Sequence, residues 1–172
     1  MVDRLTPERR SWNMSRIRSK DTKPEIIVRS LLHRMGFRFR INPKKLPGRP
    51  DIVLPKYRAA VFVHGCFWHR HEGCRFAYTP KSRSEFWQAK FEANKRRDKD
   101  ARERLREMGW RVVVLWECDI NADPVAAVQK LAVLLSPQDS AYQYPMPGRR
   151  ELLKVAEDRL QRTLGGQRGK QA

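Results

Sequence analysis

Two apolar runs around a short proline turn constrain this chain more than any other feature. Asp51-Ile52-Val53-Leu54 and Ala59-Ala60-Val61-Phe62-Val63-His64 flank Pro55-Lys56-Tyr57-Arg58, a pattern that reads as a β-hairpin. Folding it about Lys56 and Tyr57 sets Asp51 opposite Phe62, with Val63 and His64 one or two positions away. An acid and an imidazole thus meet at one end of a buried hairpin.

The flanking segments alternate in type. Asp21 or Thr22 is a fitting N-cap, Pro24 sits in the first turn, and Ile27, Val28, Leu31, Leu32 and Met35 recur at helical spacing before Gly36. Glu25 falls within about 20° of the azimuth of Leu32, so it is either an inward acid needing a partner or a first-turn acid favoured by the helix dipole. Phe37 to Ile41 alternate apolar and basic residues, a strand pattern, and a loop from Pro43 to Pro50 leads to the hairpin. A long helix is expected from Ser84 to Met108. Its inward stripe is Trp87, Phe91, Asn94, Asp98, Ala101, Leu105 and Met108, and basic residues cover the rest. Arg111 to Trp116 is a strand, and Asp123-Pro124 opens a last amphipathic helix through Leu135. This order predicts an α/β fold, a mixed sheet flanked by helices. Residues 1–22 read as a basic arm that orders on its partner, 23–136 as the main domain, and 137–172 as a C-terminal extension. Within that extension a short helix is expected near Glu151 to Leu160, and Gly165 to Ala172 are expected to be disordered.

Charge narrows the partner. Lys and Arg number 37 against 19 Asp and Glu, a net +18, which points to a polyanion because neutralised phosphates release condensed counterions. An acidic membrane is the rival. With no apolar run near 18 residues and no signal-peptide pattern, the expectation is a soluble intracellular protein. A ribosomal-type RNA binder would share this charge, which by itself does not separate an enzyme from a passive binder.

Cys66, Cys74 and Cys118 are an odd set, which argues against a disulfide framework. With His71 they make a Cys₃His group suited to a closed, tetrahedral, structural zinc site that would clip the loop after residue 65 to the end of the last strand. His69 competes with His71 as the fourth ligand.

Several segments resemble the very short patch repair (Vsr) endonucleases. They are Asn13-Met14-Ser15-Arg16-Ile17, Lys20-Asp21-Thr22-Lys23-Pro24-Glu25, Gly48-Arg49-Pro50-Asp51-Ile52-Val53, Val61 through His69, Phe86-Trp87 and Trp116-Glu117-Cys118. They run in order over roughly residues 8–135. The resemblance implies a restriction-endonuclease-like fold and a magnesium-dependent enzyme that nicks DNA 5′ to the thymine of a T:G mismatch left by 5-methylcytosine deamination. It implies Asp51 as the magnesium ligand, with the Val63 carbonyl as second contact, Glu25 and His64 holding active-site water, and His69, oriented by Asp98, in proton transfer. Cys66, His71, Cys74 and Cys118 would hold zinc. Phe67, Trp68 and Trp87 would form an aromatic wedge at the mismatch, and Met14 and Asn94 further DNA contacts. The hairpin carries Val-x-His where many related nucleases place Glu-x-Lys. The expected partners are mismatched double-stranded DNA and mismatch-repair proteins, in a bacterial, nucleoid-associated monomer with no membrane contact. A different nuclease on the same fold, or a zinc-stabilised DNA-binding module without catalysis, are the alternatives. The second of these has no reason to gather Asp51, His64 and His69.

Overall fold

A four-stranded mixed sheet forms around the hairpin in the computed structural model, which describes residues 6, 8–9, 12, 15–16, 18, 20–135 and 147–165. The strands β1 (Arg40–Ile41), β2 (Ile52–Leu54), β3 (Ala59–His64) and β4 (Arg111–Trp116) lie side by side in that order. β2 pairs antiparallel with β3 through Ile52 with Val61, Val53 with Ala60 and Leu54 with Ala59. One step further along this ladder, Asp51 faces Phe62, as the turn geometry predicts. Arg58, at the end of the turn, takes a left-handed conformation (φ 45°). β3 and β4 run parallel, and a parallel neighbour needs a long crossover. That crossover carries α2 (Cys66–His69) and α3 (Ser84–Glu107).

Each face of the sheet has its own core. Ile52, Leu54, Ala59 and Val61 pack against α1 (Lys23–Arg34), α4 (Glu117–Ala122), α5 (Pro124–Leu135) and α6 (Arg149–Gly165). On the other face Ala60 and Phe62 pack with Leu105 of α3 and with Leu46, Trp110, Val112 and Val114. The α1 stripe Ile27, Val28, Leu31 and Leu32 is buried as its spacing predicts, Thr22 is the N-cap, and Gly36 follows the helix at φ 85°. Phe91, Asn94, Ala101 and Leu105 line the buried side of α3. Gly48, at φ +68°, lies against that side, where a Cβ would come within 2.5 Å of the Ala101 Cβ. Only glycine lets this loop rest on α3 and deliver Asp51 to the start of β2.

Four details depart from the sequence reading. The strand expected over Phe37–Ile41 is two residues long, because β2 is itself only three residues between Pro50 and Pro55; Phe37 is buried in the core instead. Met108 ends the stripe exposed, as the C-cap of α3. Glu117–Ala122 form a helix that its polar composition did not announce. The helix expected near Glu151 to Leu160 runs from Arg149 to Gly165, and it buries Leu152 and Ala156 in the larger core. Residues 137–146 and 166–172, within the expected extension, lie outside the described residues, as does Met14.

Leu152 is fully buried, so Leu152→Ala is expected to lower unfolding free energy by about 2–5 kcal/mol in denaturant titration. The exposed Glu157→Ala should stay within about 0.5 kcal/mol of wild type. Equal, small effects of both would show that α6 does not belong to the core.

Candidate active site

At the open end of the hairpin, the Asp51 Oδ2 accepts a hydrogen bond from the Val63 N–H at 2.7 Å. The Asp51 side chain thus accepts the N–H that a backbone carbonyl of the partner strand would otherwise take, and Pro50, which has no N–H, cannot donate to the Val63 carbonyl. Burial pushes the Asp51 carboxyl up to about 6, and the charge of nearby Glu25 adds to this, against the Val63 bond. Glu25 therefore lies close to Asp51, carried there by the first turn of α1. It is buried, and four donors meet its carboxylate. Oε1 accepts from the Thr22 N–H (3.3 Å) and Thr22 Oγ1 (2.8 Å), and Oε2 from the Asp21 N–H (3.1 Å) and the Arg29 guanidinium. Both sequence readings of Glu25 hold at once, because it is a capping acid and an inward acid with a partner. Sequence reasoning overlooked that partner, Arg29, which also bonds Asp21 at 2.5 Å. The signal was available in the i,i+4 spacing of Glu25 and Arg29.

His64 ends β3 opposite Trp116 of β4. Its ring stacks on that of His69 with centroids 3.8 Å apart and planes 13° apart, and meets the edge of Trp116. Burial, and then the neighbouring His69, hold the His64 pKa down at about 3, so the ring is neutral at neutral pH. The His69 Nδ1 lies 2.6 Å from the Asp98 Oδ2, and Arg102 donates to the Asp98 carbonyl. Asp98 thus occupies the inward stripe of α3 to face the short helix α2. Asn94, one turn earlier, does likewise: its Nδ2 donates to the Trp68 carbonyl at 2.9 Å and its Oδ1 accepts from Arg97.

Cys66, His71, Cys74 and Cys118 converge, with one ligand atom from each within 4.8 Å of the others. The His71 Nδ1 is 3.2 Å from the Cys118 Sγ and 3.7 Å from that of Cys66. The structure therefore brings His71, not His69, to the thiols. Trp116 stacks on His71 at 4.1 Å, a support that the sequence did not reveal. The donor set fits a divalent metal: burial, with the crowding of its sister thiols, pushes Cys118 up to about 12, and a cation among them reverses that cost.

Phe67, Trp68 and Trp87 cluster at the rim. Phe67 touches the rings of Trp68, Tyr78, Trp87 and Phe91, whereas the ring contacts of Trp68 among the described residues are with Phe67 and Trp87. In the N-terminal arm the guanidinium carbons of Arg9 and Arg16 lie 4.7 and 4.6 Å from the Trp12 ring centroid. Among the described residues no helix is long and apolar enough to cross a membrane.

Comparison with known proteins identifies this arrangement. A family profile described as "DNA mismatch endonuclease Vsr" matches residues 2–75. The chain is 52% identical over 137 residues to the type II nicking enzyme V.XorIIP of Xanthomonas oryzae pv. oryzae, covering 80% of this chain and 99% of the relative. It is 46% identical over 121 residues to the type II nicking enzyme V.NmeAIP of Neisseria meningitidis serogroup A, covering 70% and 86%. It is 45% identical over 121 residues to the DNA mismatch endonuclease Vsr of Escherichia coli K12, covering 70% and 77%. With identity this high over nearly the whole of such relatives, the chain belongs to the Vsr family of DNA mismatch endonucleases.

Proposed function

We propose that this DNA endonuclease is magnesium-dependent and nicks one strand 5′ to the thymine of a T:G mismatch, the lesion left by deaminated 5-methylcytosine. The observation that carries the reading is the placement of Asp51, Glu25, His64 and the His69–Asp98 pair at one end of the hairpin. A catalytic acid on an antiparallel hairpin, with a helix supplying a second acid, supports a restriction-endonuclease-like fold. Residues 1–22 then serve as the DNA-contacting arm, with Met14 in it, 23–136 as the endonuclease domain and 137–172 as a C-terminal extension. The setting is the bacterial cytoplasm, at the nucleoid. The enzyme works as a monomer alongside mismatch-repair proteins.

The buried acid pair fits a hard cation, whose charge would relieve the repulsion that raises the Asp51 carboxyl. Asp51 and the Val63 carbonyl would hold magnesium; in an extended strand a residue's N–H and C=O leave the same edge, and the Val63 N–H already meets Asp51. When bound, magnesium polarises the phosphate and stabilises the leaving oxygen. Glu25, locked by four donors, contributes a fixed charge and a seat for water. His64, neutral, orients water without repelling the cation. His69 keeps one ring nitrogen on Asp98 and offers the other to the reacting water, so Asp98 steadies the ring as it takes up a proton. Zinc fits the thiols and His71, where it would tie α2 and its loop to the start of α4.

The wedge reading assigns Phe67, Trp68 and Trp87 to the base stack, Phe67 also resting on the rings of Tyr78 and Phe91. A mismatched step is cheaper to unstack than a paired one. Asn94 serves this surface by fixing the Trp68 backbone.

Four experiments test these assignments. Asp51→Ala should abolish nicking of a T:G duplex in magnesium while DNA binding and the melting temperature persist. Wild-type enzyme should cut T:G in preference to matched duplexes and other mismatches, and indifference to the mismatch would return the chain to a more general nuclease. Freshly purified, reduced protein should carry one zinc, and Cys118→Ser should lower zinc content and melting temperature together; metal-free wild-type protein of full stability would remove the zinc assignment. Trp68→Ala should cut T:G nicking at least about tenfold with little change in stability, whereas Phe67→Ala, touching four rings, should also lower stability, by up to the 3–5 kcal/mol typical of buried aromatic truncations. A Trp68→Ala protein that melts early yet nicks normally when folded would make Trp68 a core residue and end the wedge reading.

A further inference from the structure

His64, His69 and Asp98 form a second group whose ligand atoms lie within 4.8 Å of one another, apart from the Cys₃His cluster. Its members are two imidazoles and one carboxylate; the imidazoles are donors that hard, oxygen-seeking magnesium does not need and that zinc, cobalt and nickel favour. We infer that His64 and His69, backed by Asp98, form a binding site for a borderline-soft divalent transition metal, whose occupancy blocks the nuclease.

Two independent observations support the site. The first is the His64 ring, which is 6% exposed and packs on the rings of Phe62, His69 and Trp116. The described residues offer its nitrogens no hydrogen bond, yet neither nitrogen is a sealed, unpartnered atom of the kind that the Arg29 Nε is. The ring is thus walled by aromatic surface while its nitrogens stay open to an incoming ion. The second is the second sphere already present around His69. Metal-ligating histidines commonly give their other ring nitrogen to a carboxylate, which fixes the tautomer and raises basicity. The His69 Nδ1 sits 2.6 Å from the Asp98 Oδ2, which leaves Nε2 as the ligand atom. Typical Zn–N bonds place tetrahedral ligands about 3.4 Å apart, within the 4.8 Å that bounds this group, so the stacked rings would turn toward a shared ion. His69 has that freedom, standing half-buried on a four-residue helix. Arg102, beside Asp98, opposes a cation here, while Asp98 and nearby Asp51 offset its charge.

Blocking follows from shared atoms. An ion on the His69 Nε2 occupies the lone pair that would take the proton, so magnesium-supported nicking stops while DNA binding persists. That consequence rests on the nuclease reading above; the binding of the ion does not.

Cobalt(II) is the probe, added to zinc-loaded protein in the absence of DNA. A thiolate-bound cobalt shows strong sulfur-to-metal charge-transfer bands, and one on imidazole and oxygen shows only weak d–d bands, so the two clusters are distinguishable. The wild type should bind one cobalt with d–d bands alone. Both His64→Asn and the less buried His69→Asn should weaken this binding at least about tenfold, since even second-sphere changes cost 10–100-fold, whereas Asp51→Asn should retain it. In parallel, zinc added to the magnesium reaction should arrest T:G nicking, and a chelator that spares the structural zinc should restore it. Cobalt binding that shows only thiolate bands, that survives both histidine changes, or that vanishes with Asp51→Asn would overturn the site. Failure of magnesium-supported nicking without added zinc would instead overturn the nuclease reading.

Discussion

The hydrogen bond between Asp51 and the Val63 N–H depends on a single strand register, and most of the site depends on that bond. In an antiparallel pair a slip of one residue turns every side chain to the opposite face. Here both faces are buried, but they bury different partners: Val61 meets the α1 side and Phe62 the α3 side. A slip would drive Phe62 into the larger core and His64 away from α2. The turn at Pro55–Tyr57 and the left-handed Arg58 hold the register from one end. At the other end Pro50 closes the ladder, and the Asp51 carboxylate takes the N–H that the strand has left over. A group that completes the backbone pairing is thereby fixed where a cation can reach it.

Features set by local periodicity were legible in the sequence. The apolar runs gave the hairpin register and with it the proximity of Asp51, Val63 and His64. The stripe on residues 84–108 anticipated that Asn94 and Asp98 face inward, and the structure supplies their partners in α2. Features set by tertiary packing were not. Spacing put His71 in the thiol cluster but left His69 as a competitor, because the left-handed turn at Arg70 that separates them has no side-chain signature. Arg29 escaped because an arginine in a basic chain attracts no notice, although its guanidinium ends at the buried Glu25. The helix at Glu117–Ala122 is too short and polar for a periodic signal, and α6 is defined by what it covers rather than by its composition. The Vsr resemblance ended before α6, so only packing reveals that Leu152 belongs to the core.

Helix α3 explains how so basic a chain can keep an acidic site. Its outer side exposes Lys90, Lys95, Arg96, Lys99, Arg104 and Arg106, charges that attract a phosphate backbone and gain little from their neighbours on the surface. Its inner side fixes three separate parts of the site. Ala101 receives the Gly48 loop that delivers Asp51, Asp98 holds His69, and Asn94 holds the Trp68 backbone. The acids Glu25 and Asp51 are buried or nearly so, so the net charge of +18 acts on DNA from outside without neutralising them within. In the proposed reading, α3 thus carries phosphate-attracting charge on its outer side and holds parts of the site on its inner side, across about the 10 Å width of a helix. Salt screens the outer side within roughly that distance and leaves the inner hydrogen bonds untouched. Ionic strength should therefore govern how often DNA arrives, while the geometry that α3 imposes on Asp51, His69 and Trp68 governs what happens once it is there.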